Sequence, residues 1–277
     1  MHYIPKKMGK LTIATELNNK LVNKIIKDKK TCVFVSPHLD DAVLSAGDLI
    51  QYLAKKTKVV VITVFTEASR KPYTFFTKRF VSLCGYRNTD EFFSKRKQED
   101  LNIFNDLSIK YHHLGFIDAA WRKKENPGYL TRLIGRLIPE FLHIYPIYRV
   151  NIQSNRIARA DKNIINAIVA KLSEIVNSEE DYYIFCPLAV NTHIDHVITR
   201  EAVRRNFKNA TFWTDFPYSQ FRNVRPNLDH KDLKEVLGWE NDTATKRNMI
   251  MAYESQVNLL FPGGNIELKP EFYYEER

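Results

Sequence analysis

Cysteine is scarce in this sequence. The 277 residues include three, Cys32, Cys84 and Cys186, and an odd number at such wide spacing fits neither a disulfide framework nor a zinc site built from cysteines. Cys32 and Cys186 lie in apolar runs typical of strands, where an unpaired cysteine packs as a small hydrophobic side chain. We therefore expect a protein of a reducing compartment and predict a cytoplasmic location.

Long hydrophobic runs are missing as well. No stretch of about 18 uncharged apolar residues occurs, which excludes an ordinary transmembrane helix, and the basic first residues are not followed by an apolar segment of the length found in signal peptides. Internal repeats, low-complexity tracts and obvious linkers are also absent from the sequence. With 44% hydrophobic and 27% charged residues, the composition is that of a globular protein. We expect one domain over residues 1–277.

Basic residues outnumber acidic ones and occur in clusters. The formal net charge is +10, and positive residues concentrate at 24–30, 70–79 and 122–124. Such clusters attract the phosphates of nucleic acids, lipid head groups or sugar phosphates, or they form a solvated basic surface. Because no cluster is interleaved with a known nucleic-acid motif, we do not expect a nucleic-acid partner. The charge favours, weakly, a phosphorylated or otherwise anionic substrate.

Aromatic residues are interspersed with basic residues in the segment 70–87. Three interpretations stay open for it: a lid over the active-site crevice, a peripheral contact with a membrane surface, or a solvated insertion packed by its own aromatic side chains. The sequence does not indicate an oligomeric state.

Short apolar runs alternate with longer helical patterns along most of the chain. Between residues 129 and 152 we expect a helical segment that is interrupted by prolines. The predicted strands are 31–35, 58–65, 111–114, 182–186 and 211–216, and the predicted helices are 41–55, 92–107, 160–176, 193–205 and 243–260. This alternation predicts an α/β protein with a mostly parallel sheet and helices on both faces.

Ionisable side chains follow two of the predicted strands directly. His38, Asp40 and Asp41 come after the first strand, and His193, Asp195 and His196 come after the strand 182–186. In parallel α/β sheets the loops at the carboxyl ends of the strands form the ligand crevice. An aspartate at a helix start is more often an N-cap, but two such clusters in the same context favour one shared functional site.

Spacing separates the roles within each cluster. His193 and His196 are three residues apart and share a face of a first helical turn, whereas Asp195 lies between them and is better placed to orient an imidazole and fix its tautomer. Asp40 and Asp41 point about 100° apart if both are helical. One of the two can therefore bind a metal while the other contacts a water molecule.

Imidazoles and carboxylates without thiolates suit zinc, or another divalent metal such as manganese, iron or cobalt. Three protein ligands leave one coordination position open, which is the arrangement of catalytic rather than structural sites. The sequence therefore indicates metal-dependent hydrolysis.

The motifs "SPHLDDAVLSAG" and "HIDH" resemble those of the LmbE-like, N-acetylglucosaminyl-phosphatidylinositol deacetylase (PIG-L) family of zinc-dependent de-N-acetylases. Further matches follow in order and cover most of the chain: "TVFTE" (63–67), "RKQED" (96–100), "LGFID" (114–118) and "KRNMIMAYESQV" (246–257). The resemblance implies a Rossmann-like fold with a metal site at the carboxyl ends of the strands.

The resemblance also implies roles for the first loop and its partner. It makes His38, Asp41 and His196 the metal ligands, and Asp40 the general base that deprotonates the metal-bound water. Ala42 departs from the family, which usually has Glu after the paired aspartates.

Other matched positions concern catalysis and the substrate. By resemblance, His193 is an electrostatic or acid catalyst tuned by Asp195, and Arg96 and Asp118 line the sugar-binding site. Trp121 follows Asp118 closely, where its ring could stack on a sugar.

These expectations combine into a metal-dependent deacetylase that acts on an N-acetylated amino sugar or its glycoconjugate. One alternative is a hydrolase of another bond such as a phosphoester, although the ligands suffice for one metal and not for the two-metal cluster common in phosphoesterases. Another is a non-catalytic metal or anion binder, which would not need Asp40 or His193.

Overall fold

The computed structural model describes residues 20–179, 181–190, 192–220 and 232–277, and within them strands and helices alternate. The strands are β1 (Thr31–Ser36), β2 (Val59–Glu67), β3 (Lys110–Ile117), β4 (Tyr182–Pro187), β5 (Ala210–Trp213), β6 (Leu233–Trp239) and β7 (Glu271–Glu276). The helices are α1 (20–28), α2 (Asp41–Ala54), α3 (Phe75–Leu83), α4 (Thr89–Asp106), α5 (Tyr129–Leu137), α6 (Tyr148–Asn151), α7 (Lys162–Val176), α8 (Ile194–Asn206), α9 (Thr243–Met251) and α10 (Glu254–Leu260).

All seven strands join one sheet in the order β3-β2-β1-β4-β5-β7-β6. The first five are mutually parallel, and β7 runs antiparallel to both of its neighbours. Consecutive strands extend from β1 to β2 and β3 in one direction, while β4 and β5 extend in the other. The strand order therefore reverses between β1 and β4, which is where ligands bind in open α/β sheets.

Strand β1 is buried on both of its faces. Cys32 and Phe34 pack with α2, whereas Val33 and Val35 pack into the other hydrophobic cluster, on the opposite face, with α7 and α8. Alternate residues of a strand point to opposite faces, and an uninterrupted apolar run marks a strand covered by helices on both. The predicted α/β class with a mostly parallel sheet is confirmed.

The C-terminal part of the chain differs from the sequence prediction. The single helix expected over 243–260 is two helices, because the chain turns at Ala252 and Tyr253 and Ser255 donates from its backbone N–H (3.0 Å) and its hydroxyl (2.5 Å) to the Glu99 carboxylate. Strands β6 and β7 were not predicted. Their sequences, "LKEVLGW" and "EFYYEE", carry charges that hide the strand pattern; β6 forms one edge of the sheet and β7 lies between β6 and β5.

None of the helices within the described residues is both long enough and apolar enough to cross a membrane.

Candidate active site

Two loops at the carboxyl edge of the sheet form the site. Strands β1 and β4 are hydrogen-bonded neighbours, with Thr31 opposite Tyr182, so the loops that follow them lie side by side. The His38 ring lies 5.4 Å from the His196 ring and 5.0 Å from the His193 ring, centroid to centroid. The structure therefore brings together the two clusters that the sequence places about 150 residues apart.

The turn between β1 and α2 is fixed by its own hydrogen bonds. The Ser36 hydroxyl donates to the His38 carbonyl (2.7 Å) and accepts from the Ala42 N–H (3.0 Å). Asp40 occupies the N-cap position of α2, but its side chain makes no capping hydrogen bond. Helix capping, the common role of an aspartate at a helix start, is therefore not the role of Asp40. The burial of its carboxylate calls for a different explanation.

The Asp41 carboxylate lies between two imidazoles. Its Oδ2 is 3.0 Å from His38 Nδ1 and 3.1 Å from His196 Nε2. The remaining ring nitrogens face other carboxylates, with His38 Nε2 3.2 Å from Asp195 Oδ2 and His196 Nδ1 2.6 Å from Asp215 Oδ1. Imidazoles that ligate a metal through one nitrogen commonly bind a carboxylate through the other.

This donor set fits a divalent cation. Ligand atoms about 2.0 to 2.1 Å from a tetrahedral zinc ion lie roughly 3.4 Å from one another, close to the spacing of Asp41 Oδ2 from the two imidazole nitrogens. Two triads in the described part of the chain have ligand atoms within 4.8 Å of one another. They are His38, His193 and His196, and His38, Asp118 and Asp195.

The neighbouring carboxylates stabilise positive charge on or next to the imidazoles of His38 and His196. Burial acts to lower the pKa of His196, but Asp41 and Asp215 outweigh it and raise that pKa to about 9. Burial likewise opposes protonation of His38, yet hydrogen bonds to Asp195 and Asp41 hold its pKa well above the usual value. A cation bound at this position would supply the positive charge that protons on His38 and His196 supply when no cation is bound.

Asp40 faces Arg96 across the site. Its Oδ1 is 3.6 Å from Arg96 Nη2. Burial, followed by the negative charge of Asp41, raises the pKa of Asp40 to about 6, although Arg96 and His38 act to lower it. A carboxyl group with a pKa near neutrality can accept and return a proton at physiological pH.

Arg96 is itself held rigidly. Its guanidinium lies 5.4 Å from the Phe92 ring centroid and 5.6 Å from that of Phe93. In the orientation that satisfies both groups, the Gln256 amide oxygen accepts hydrogen bonds from Arg96 Nη2 (2.9 Å) and Nε. Gln256 belongs to the "KRNMIMAYESQV" stretch, so the packing of α10 against α4 fixes this part of the cavity.

His193 caps helix α8. Its Nδ1 accepts the backbone N–H of Asp195 at 3.3 Å, which assigns the ring proton to Nε2. Burial, and then the positive charge on His38, lower the pKa of His193 well below its usual value. The imidazole is therefore neutral and able to donate a hydrogen bond from Nε2.

Asp195 connects the site to a buried arginine. Its fully buried carboxylate accepts from Arg122 Nη2 (2.5 Å) and from the Ala119 N–H (2.8 Å), in addition to its contact with His38. Arg122 also binds Asp161. Burial opposes ionisation of Asp195, but Arg122 outweighs it and lowers that pKa. The Asp195 carboxylate orients His38, while its link to His193 runs through the backbone.

Arg122→Met should lower the free energy of unfolding by about 3 to 5 kcal/mol, because two buried carboxylates, on Asp161 and Asp195, would lose their cationic partner. Urea unfolding measures this change. Lys124→Met, two residues away and exposed, is the matched control and should change stability by less than about 0.5 kcal/mol. Equal stability of the two variants would show that Arg122 does not hold the carboxylates in place.

Sequence reasoning missed Arg122 and Asp215. Asp215 follows β5 by two residues, so the strand-end rule that located the other clusters could have found it. Arg122 had no comparable signal, because in the sequence it belongs to an ordinary basic cluster.

The candidate metal ligands open into a cavity with polar and aromatic walls. Its lining residues are His38, Asp40, Asp41, Leu44, Phe76, Phe80, Arg96, Asp118, Ala120, Trp121, Tyr148, His193, His196, Tyr218, Gln256, Leu259 and Leu260. All the sequence-predicted site residues except Asp195 are among them. Asp195 lies directly behind His38.

Two of the predicted substrate-binding residues share one wall. Asp118 Oδ2 lies 3.6 Å from His38 Nε2, and Asp118 Oδ1 caps the following turn by accepting the Ala120 N–H at 2.9 Å. The Trp121 ring is 1% exposed and packs edge-on against Phe93 with centroids 5.0 Å apart. Trp121 therefore shapes the wall through packing, with little ring face exposed for stacking.

The segment 70–87 contributes to another wall. It contains α3, whose Phe76 and Phe80 line the cavity, whereas Phe75 is 74% exposed. The three sequence-based interpretations of this segment remain predictions.

Comparisons with known proteins agree on a family and a fold. A family model described as GlcNAc-PI de-N-acetylase (PIG-L) matches residues 33–207, more than half of the chain. A 2'-N-acetylparomamine deacetylase of Streptomyces fradiae is 24% identical to this chain, and the matched region covers 69% of this chain and 59% of that relative. A 2'-N-acetylparomamine deacetylase of Niallia circulans is also 24% identical, and the matched region covers 85% of this chain and 84% of that relative.

Solved structures share the fold. The zinc-inhibited form of a teicoplanin deacetylase superposes with a TM-score of 0.69 and 20% identity, covering 89% of this chain and 98% of the other. A deacetylase of the A40926 pseudoaglycone superposes with a TM-score of 0.64 and 21% identity, covering 90% of this chain and 96% of the other.

Proposed function

Because the chain belongs to the PIG-L family of GlcNAc-PI de-N-acetylases, we propose that it is a zinc-dependent hydrolase that removes the acetyl group from an N-acetylated amino sugar or a glycoconjugate of one. The observation that carries this proposal is the carboxylate of Asp41 between two imidazoles, each with a second carboxylate behind it, next to an Asp40 that caps no helix. The 2'-N-acetylparomamine deacetylases point to the same reaction class.

His38, Asp41 and His196 are the residues that we propose hold the metal, with iron, manganese and cobalt as the alternatives to zinc. When bound, the ion polarises an amide carbonyl and lowers the pKa of a water molecule toward neutrality. Asp195 and Asp215 orient the two imidazoles and increase their basicity.

Asp40 acts as the general base. Its carboxylate is buried, is not used for capping and lies one residue from Asp41, so it can take the proton of the attacking water. Arg96, 3.6 Å away, restrains the carboxylate and keeps part of its population ionised. The same carboxyl group can then return its proton to the departing amine.

His193 stabilises the oxygen that becomes negative as water adds to the carbonyl. Its Nδ1 is occupied by the Asp195 N–H, so Nε2 carries the proton that it can donate. A preorganised donor directed at developing charge is among the strongest contributions to catalysis.

Asp118 and Arg96 both line the cavity and can bind hydroxyl groups of the sugar, as an acceptor and a donor. Trp121 contributes to the fit by fixing the wall next to Asp118.

Zinc-loaded protein assayed against a panel of N-acetylated amino sugars tests the proposed function. We expect equal amounts of acetate and free amine from at least one of them. Aryl phosphates are assayed in parallel, because release of phosphate without acetate would identify a phosphoesterase and reject the proposal.

Asp215→Asn should weaken zinc binding by about 10- to 100-fold, the usual effect of removing a carboxylate behind a ligating histidine. Competition with a chromogenic chelator measures the affinity. Asp106→Asn replaces an exposed aspartate at the end of α4 and should leave the affinity unchanged. Unaltered zinc affinity in Asp215→Asn would remove this residue from the metal site.

A further inference from the structure

Helix α5 turns its apolar face outward. The exposed fractions of its large apolar side chains are 75% for Tyr129, 69% for Leu130, 50% for Leu133, 41% for Ile134 and 87% for Leu137. We call these five residues the α5 face. An amphipathic helix of a globular protein ordinarily buries its apolar side. The α5 face is apolar and yet exposed.

The opposite side of α5 packs on the protein. Gly135 is its buried residue and lies against Leu142, where an added Cβ would be 2.3 Å from the Leu142 Cγ atom. This close packing fixes which side of the helix points outward. The exposure of the α5 face is thus determined by a specific contact on the other side.

Positive charge borders the α5 face. Arg132 and Arg136 lie one turn apart on the helix and are exposed, and by the 3.6-residue period both flank the same edge of the apolar stripe. Between residues 123 and 159, leaving out the buried and paired Arg122, the sequence has seven Lys or Arg residues and two Glu, a local charge of +5. An apolar stripe with basic residues beside it is the pattern of helices that lie in the surface of an anionic membrane.

The chain leads from the α5 face to the cavity. Exposed apolar residues follow α5 along the sequence, namely Ile138, Phe141, Ile147 and Val150, and among them Tyr148 lines the cavity and stacks on Phe76 with centroids 4.7 Å apart. Phe75, the exposed neighbour of Phe76, is tied to the same region because its N–H donates to Glu140 Oε1 at 2.7 Å.

We propose that the α5 face docks on an anionic lipid bilayer and places the mouth of the cavity against the membrane surface. A second copy of the chain is the competing occupant, but a symmetric dimer that pairs the two α5 helices antiparallel would place Arg132 and Arg136 of both copies along the same edge of the interface. Like charges at an interface are unfavourable, whereas anionic head groups complement them. The bilayer therefore accounts for both the apolar stripe and its charge.

Co-sedimentation with vesicles tests the docking without any substrate, so its outcome does not depend on the proposed activity. The full-length protein should bind vesicles that contain phosphatidylglycerol at low salt, bind weakly to pure phosphatidylcholine, and lose affinity as salt screens the charge. No binding to the anionic vesicles at low salt overturns the proposal.

Two double variants locate the surface. Arg132→Glu with Arg136→Glu should lower the partition coefficient by about thirtyfold, because each basic residue near an anionic membrane contributes roughly 1 kcal/mol. Leu133→Ser with Leu137→Ser should lower it by about tenfold or more through lost apolar contact. All four side chains are exposed, so neither variant should lose its circular dichroism spectrum.

Lys24→Glu with Lys27→Glu is the matched control. It makes the same change in net charge on the exposed side of α1, which precedes β1 and therefore lies toward the opposite edge of the sheet. Vesicle binding should change by less than threefold. An equal loss in the control, or none in the α5 variants, overturns the proposal. If the protein binds no vesicles, sedimentation equilibrium tests the competing occupant. A dimer that Leu133→Ser with Leu137→Ser abolishes would assign the α5 face to a second copy of the chain instead.

Discussion

Asp40→Asn should reduce turnover by about 10² to 10⁴-fold while the protein keeps its bound metal. An amide of the same shape cannot accept the proton of the attacking water, and this range is the usual contribution of a general base. The proposed ligands are untouched, because His38 and His196 contact Asp41 without using the Asp40 carboxylate. Acetate release under saturating substrate measures turnover, and elemental analysis of the same sample measures the metal.

The matched control for this variant is Asp106→Asn, which makes the same chemical change on an exposed residue of α4. It should have the turnover of the unaltered protein. Asp40 would lose its role as the base if Asp40→Asn turned over at the same rate as this control.

His196→Ala should abolish stoichiometric zinc binding and, with it, activity. The imidazole approaches Asp41 through Nε2 at 3.1 Å and Asp215 through Nδ1 at 2.6 Å, so its removal takes away one proposed ligand and the connection to the carboxylate behind it. Equilibrium dialysis followed by elemental analysis measures the metal. Two buried carboxylates also lose a partner, so circular dichroism must verify that the variant is folded.

His112→Ala provides the comparison for the loss of an imidazole outside the site. His112 lies on β3, partly buried, and is not among the residues that line the cavity. Its zinc content should equal that of the unaltered protein. Full zinc occupancy in folded His196→Ala would contradict the ligand assignment.

Strands β1, β2 and β4 could be predicted from the sequence because they are buried on both faces. Runs such as 31–35 and 182–186 are uninterruptedly apolar, which is the pattern that a covered parallel strand requires. Strands β6 and β7 contain charged residues that hide the strand pattern. The place of β7 between β5 and β6 depends on contacts between residues distant in sequence, such as that of Glu271 with Lys246, that no local pattern encodes.

The candidate site was predictable where a side chain follows a strand within a few residues. His38, Asp40 and Asp41 follow β1 in this way, and Asp215 follows β5 under the same rule. Arg122 is different, because its importance comes from contact with Asp195, 73 positions away. A buried ion pair between distant residues requires the fold to be known.

Trp121 illustrates a further limit of motif reasoning. Its position close to Asp118 in the sequence suggests a ring that stacks on a sugar, but the ring is buried among Phe80, Phe92 and Phe93, which is decided by the packing of α3 and α4. The outward α5 face is the converse case. The sequence shows an amphipathic stretch there, and only the contact of Gly135 with Leu142 reveals which side is exposed.

Zinc titration of metal-free protein, with acetate release from an N-acetylated amino sugar as the readout, tests the proposed function most directly. We expect metal-free protein to be inactive, activity to rise until stoichiometric zinc is bound, and Asp40→Asn to bind the same zinc without recovering turnover. Undiminished acetate release by the metal-free protein, or full turnover by zinc-loaded Asp40→Asn, would contradict a metal-dependent deacetylase that uses Asp40 as its base.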